Sequence, residues 1–153
     1  MPAGRVLGLI GQNGAGKSTL ISIMAGVLAP DAGAIEVDGA PIVLSSPATA
    51  LAHGIVAVYQ ELSLVPELTV AENLFLGLEP SSGPWLRRVD MRRRAREILA
   101  RLGADSVAVD AKVRTLPVVQ QQLVEIGKAL ARDARLLILD EPSAVLGRGE
   151  LDR

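Results

Sequence analysis

The sequence predicts an α/β protein built on a parallel sheet, with a block of helices inserted between its strands. Three observations carry that reading. A short apolar run, Arg5 to Ile10, ends in a glycine-rich loop that opens a helix. A second apolar run, Leu136 to Leu139, ends on two carboxylates. Between them, helical periodicity comes with its own start and stop signals. The chain has 153 residues, room for one domain, and is 49% hydrophobic and 22% charged, as ordinary globular proteins are. A chain of that size buries roughly two-thirds of its unfolded surface.

Taken in order, Arg5 to Ile10 reads as a buried strand, and Ser18 to Leu28 as a helix apolar on most faces. Pro30, Asp31 and Gly33 mark a turn. Ile35 and Val37 alternate with polar neighbours, and Asp38-Gly39 predicts a hairpin leading into Pro41 to Leu44. A short helix starts near Pro47 and stops at Gly54. Ile55 to Tyr59 is a further buried strand, ending on Gln60. Thr69 and Glu72 have capping-box spacing, which starts a helix that runs to about Leu78. Pro80 to Pro84 reads as a loop. Asp90 caps a helix with Met91, Ala95, Ile98, Leu99 and Leu102 on one face, closed by Gly103. A helix over Val118 to Ala131 and a strand over Leu136 to Leu139 complete the pattern, so 69–131 is a helical insertion in one α/β domain spanning 1–153.

Composition excludes several classes. Sixteen basic residues oppose seventeen acidic ones, for a net charge of −1, which argues against nucleic acid as a partner. Tyr59, Phe75 and Trp85 are the only aromatics, too few for a base-stacking surface. With no cysteine, disulfides, thiolate zinc sites and thiol nucleophiles are ruled out. No apolar stretch reaches the ~18 residues that span a bilayer, and Met-Pro-Ala-Gly-Arg is no signal segment. A soluble chain, or one held at a membrane by another chain, is expected. Arg87, Arg88, Arg92, Arg93, Arg94, Arg96 and Arg101 read as the solvated face of one helix, and His53 as an exposed helix-end residue.

Gly11-Gln-Asn13-Gly14-Ala15-Gly16-Lys17-Ser18 matches G-x-x-x-x-G-K-[ST] at every position, after a strand and at a helix start. Backbone N–H groups must wrap a triphosphate closely, and side chains at the tight positions would obstruct them. The helix N-terminus adds partial positive charge. Lys17 reaches for the β- and γ-phosphates, the Ser18 hydroxyl for Mg²⁺ and Thr19 for the α-phosphate. This is the core of a phosphate-loop (P-loop) NTPase.

Asp140 and Glu141 end the last strand, where ligands of an open parallel sheet collect. Asp140 there can hold Mg²⁺, and Glu141 can take a proton from an attacking water. Gln60, a neutral amide at a strand end, can orient water or complete a metal shell.

Four segments, GQNGAGKSTL, VYQELSLVPELTVAENLFLG, VVQQQLVEIGKAL and LLILDEPSAVL, resemble the ATP-binding cassette (ABC) ATPases in order and spacing. The resemblance is narrower to the ATP-binding subunits of bacterial sugar importers of the ribose, xylose and galactose kind. It implies an ATPase that uses ATP and Mg²⁺ at the cytoplasmic face of the membrane. Gln60 would then sense the γ-phosphate, and the helices of 69–131 would dock on transmembrane permease subunits. A second cassette completes the dimer or tandem, and an external sugar-binding protein acts indirectly.

The family's Leu-Ser-x-Gly-Gln segment is replaced here by Leu116-Pro117-Val118-Val119-Gln120. Pro117 offers neither hydroxyl nor N–H, and Val119 puts a branched side chain where a glycine would allow close approach. Hydrogen bonds to charged groups contribute about 1.5–3 kcal/mol each. The substitution therefore bears on catalysis, whereas a helix beginning after Pro117 is expected to form. The family's adenine-stacking aromatic and switch histidine have no counterpart between Met1 and Arg153, so the chain reads as a partial cassette, truncated at both ends. A module that binds nucleotide without efficient hydrolysis stands as the alternative. An unrelated GTPase or kinase is disfavoured by the absence of an Asn-Lys-x-Asp segment.

Overall fold

The computed structural model describes residues 3–59, 61–82 and 85–140. The chain divides into two compact units, Met1–His53 and Gly54–Arg153.

In the first unit, helix α1 (Lys17–Met24) follows the glycine-rich loop. Apolar periodicity continues to Leu28, but the helix ends four residues sooner in a Schellman turn. Gly26, at φ 70°, donates its N–H to Ile23 O, and Val27 donates to Ser22 O. Strands β1 (Ile35–Val37) and β2 (Ala40–Ile42) pair antiparallel with Val37 opposite Ala40. Both turn residues, Asp38 at 55° and Gly39 at 78°, take the positive φ that a two-residue type I′ hairpin needs. Helix α2 (Pro47–Ala52) begins at a capping box between Ser46 and Thr49, and His53 caps its end, half-buried rather than exposed. Ile21, Ala25, Leu44 and Ala50 are the buried apolar residues here.

Arg5 to Ile10 is not a strand. A strand exists only by hydrogen bonding to a neighbour, and none of the described residues pairs with this segment. Val6 stays fully exposed at 100% and Ile10 at 95%.

In the second unit, β3 (Ile55–Val58) and β6 (Leu136–Leu139) form the predicted parallel pair, in register from Ile55–Leu136 to Val58–Leu139. The helices lie between them in sequence. Helix α3 (Val70–Leu74) starts at the Thr69–Glu72 capping box and is shorter than expected, ending at Phe75 instead of Leu78. Within the segment expected as a loop, β4 (Ser81–Ser82) pairs antiparallel with β5 (Trp85–Leu86). Helix α4 (Arg88–Arg101) begins two residues before Asp90, which sits in its first turn. There Asp90 accepts an ion pair from Arg87. A 3-10 turn over Val113–Thr115 precedes helix α5 (Val118–Leu130). One core joins these helices: Val70, Leu74, Ala95, Leu99, Val113 and Val124 are almost wholly buried. Gly127 lets α5 approach closely, since a Cβ there would lie 2.8 Å from Leu74 Cδ2. The arginines of α4 form its polar face: Arg92 pairs with Asp110 and Arg93 with Glu97.

Candidate functional site

The glycine-rich loop takes the shape its composition implies. Gly14 and Gly16 sit at φ 83° and 88°, with open space where a Cβ would stand. A side chain at either position would be strained in that left-handed backbone region. Ala15 N–H closes a turn on Gln12 O at 3.1 Å, and Gly16 caps α1 with no side chain of its own. The first-turn amides of α1, including Lys17, Ser18 and Thr19, have no intrahelical acceptors, as at any helix start. The loop therefore ends in a cluster of donors with a partial positive charge. Lys17 Nζ donates to Gly11 O at 2.7 Å and to Gln12 O at 3.0 Å, which holds the ammonium against the loop. Gly11 is needed for the same packing, since a Cβ there would come 3.0 Å from Ala15 Cβ. Asn13, Ser18 and Thr19 are exposed.

Asp140 lies in the second unit. Its N–H donates to Val58 O at 3.0 Å, extending the β3–β6 ladder one step past Leu139 and fixing the Asp140 backbone at the carboxyl end of the strand. Gln60 and Glu141 lie outside the described residues.

The beginning of α5 carries the altered segment. Pro117 is its N-cap, with no side-chain capping bond, and Gln121 Nε2 donates to Leu116 O at 2.9 Å. The helix forms after Pro117 as expected. Val118 is largely exposed.

Sequence reasoning missed the polar contacts behind the loop that follows β3. Asn73 and Glu125 are the buried polar residues among those described. Asn73 Oδ1 accepts from Val65 N–H at 2.7 Å, and its Nδ2 donates to Val65 O and Thr69 O. Glu125 accepts from Ser63 N–H and from Ser63 Oγ, the latter at 2.6 Å. Lys128 Nζ donates to Ser63 O and Oγ at 3.0 and 2.8 Å. A cleft of about 230 Å³ opens beside these groups, between β3 and α5. No local signal in the sequence marks the Ser63 contacts, since Ser63 and its partners lie more than sixty residues apart.

Thr69 holds the Glu72 carboxyl below its ordinary 4.5, first through its backbone N–H and then through its hydroxyl. Lys112 does the same for exposed Glu67, with help from Arg114.

The model of the ABC transporter family matches residues 1–144. The arabinose import ATP-binding protein AraG 1 of Burkholderia lata is 49% identical over 150 residues, covering 98% of this chain. The ribose import ATP-binding protein RbsA 1 of Rhizobium johnstonii is also 49% identical over 150 residues. The chain spans 30% of the first relative's length and 29% of the second's. Among solved structures, a nucleotide-free ATP-binding cassette from an ABC transporter superposes with a TM-score of 0.74 at 33% identity, over 92% of this chain and 59% of that one. The ADP conformation of MJ1267, an ATP-binding cassette of an ABC transporter, gives 0.73 at 31% identity, over 94% and 60%. The fold is thus that of the P-loop ATPase cassettes. With the family match covering nearly the whole chain and a phosphate loop of the required shape, the chain belongs to the ABC transporter family.

Proposed function

We propose that the chain is an ATP-binding and ATP-hydrolysing part of a sugar importer. The observation that carries this is the loop itself, in which Gly14 and Gly16 adopt positive φ directly before Lys17 at the start of α1. The relatives' names, arabinose and ribose import ATP-binding proteins, supply the substrate class.

In this reading Gly11, Asn13, Gly14, Ala15 and Gly16 present the wrapping backbone, Lys17 neutralises the terminal phosphates, and Ser18 and Thr19 add hydroxyls. Ser18, Gln60 and Asp140 are the oxygen donors offered to Mg²⁺, a hard-ligand set that suits that ion. Bound Mg²⁺ supplies charge neutralisation on the phosphates. Gln60 orients the attacking water and senses the γ-phosphate. Glu141 accepts the proton as the water oxygen bonds to the γ-phosphorus, and the bond to the bridging oxygen breaks, releasing ADP and phosphate.

The helices of 69–131 form the subdomain that docks on transmembrane permease subunits, at the cytoplasmic face. A second cassette supplies the facing half of the catalytic site, and a sugar-binding protein acts outside the membrane. Among the described residues no helix is long and apolar enough to cross a membrane.

One observation favours a second reading, nucleotide binding without efficient hydrolysis: Pro117 and Val119 stand at the start of α5, where donors would be needed. Phosphate release and titration of a fluorescent ATP analogue with Mg²⁺ separate the two. Saturable binding is expected in the unmodified chain and in Glu141→Gln, and at least tenfold weaker binding in Lys17→Ala. Turnover is expected only in the unmodified chain. Turnover no higher than that of Lys17→Ala would favour the second reading, and undiminished turnover in Glu141→Gln would remove that residue from the role of base.

A further inference from the structure

Both buried polar side chains among the described residues spend their hydrogen bonds on one short connection, that between β3 and α3. Asn73 holds its far end at Val65 and Thr69. Glu125 and Lys128 hold its near end at Ser63, from the second half of α5. The Ser63 contacts use both carboxylate oxygens of Glu125 and engage the N–H, the carbonyl and the hydroxyl of Ser63, so they fix backbone as well as side chain. Burying a carboxylate on a helix is costly unless it is bonded in this way, and a hydrophobic residue would have served packing alone.

Ser63 stands three residues along the chain from Gln60, and α5 starts just after Pro117. We infer that Glu125 and Lys128 are positioning residues: they latch Ser63, three residues along the chain from Gln60, to the helix that begins within the altered 116–120 segment. The inference rests on the reading of Gln60 as the group that senses the γ-phosphate. A loop that is latched only part of the time binds ATP in proportion to its latched fraction. ADP, lacking the γ-phosphate, makes no use of the latch.

The test measures ATP and ADP affinities on the full chain, in Ser63→Ala, Glu125→Ala, the double variant and Ser63→Thr. Losing bonds to a charged group is expected to weaken ATP about tenfold in each alanine variant and leave ADP affinity unchanged. The double variant should lose less than the two single losses together, because the bond from Ser63 Oγ to Glu125 Oε1 is removed in both singles. Ser63→Thr keeps the hydroxyl and should keep the preference for ATP. An undiminished ATP preference in both alanine variants overturns the inference, as does an equal loss for ADP. If the unmodified chain itself showed no ATP preference, the role given to Gln60 would fall instead. Amide exchange over 61–65 then reads the latch alone: faster in Glu125→Ala, with α4 unchanged, if it exists, and the same in both proteins if it does not.

Discussion

Gly26 shows how one residue can end an element and permit a contact at once. Its φ of 70° closes α1, and a Cβ built there would collide with the carbonyl of Ser46. Replacing it with alanine meets both obstacles, backbone strain and overlap with main-chain atoms that cannot rotate away. Gly26→Ala is expected to cost about 1–3 kcal/mol, read as a lower urea midpoint with an unchanged m-value. Gly14 and Gly16 have similar φ but open space around them, so their glycines serve the backbone shape alone. These loop glycines were legible in the sequence because the motif that demands them is contiguous. The partners of Ser63 were not, because Glu125 and Lys128 lie more than sixty residues away and only folding brings them together. Asn73 was hidden for the same reason: nothing around it in the sequence tells a buried amide from an exposed one.

The elements most legible in advance are those whose signals are local. The Thr69–Glu72 capping box, Pro47 at a helix start, and Asp38-Gly39 each carry their own geometry, and each formed where expected. Arg5 to Ile10 failed as a strand because apolar character cannot supply a hydrogen-bonding neighbour, and α1 and α3 ended early because turn geometry overrode apolar periodicity. The α3 cap also makes a prediction about pH. Thr69 donates to Glu72 Oε2 through its N–H at 2.9 Å and its hydroxyl at 2.8 Å, holding that carboxyl below 4.5. A depressed folded-state value means that the stabilisation is fully present above 4.5 and is lost as pH falls through the lowered value. Glu72→Gln should therefore unfold at a lower urea concentration than the unmodified chain at pH about 7, with the gap narrowing as pH falls below 4.5. A gap that stayed constant across that range would show that the charge on Glu72 contributes nothing.

For the molecule as a whole, ligand binding and stability are linked. A nucleotide that binds only the folded chain adds about 2.7 kcal/mol at a hundredfold excess over its dissociation constant. Thermal unfolding should accordingly shift upward with MgATP in the unmodified chain and in Glu141→Gln, and by clearly less in Lys17→Ala. The parallel pairing of β3 with β6 has a different consequence. Its partners, Ile55 and Leu136, are about eighty residues apart along the chain, whereas α3 and α4 lie within about thirty residues of each other. Contacts between near neighbours close first and distant ones wait. During synthesis β3 emerges long before β6, and α3 and α4 can meet in the interval. The pairing that sets Asp140 in place therefore waits until β6 leaves the ribosome and zips onto the edge of β3.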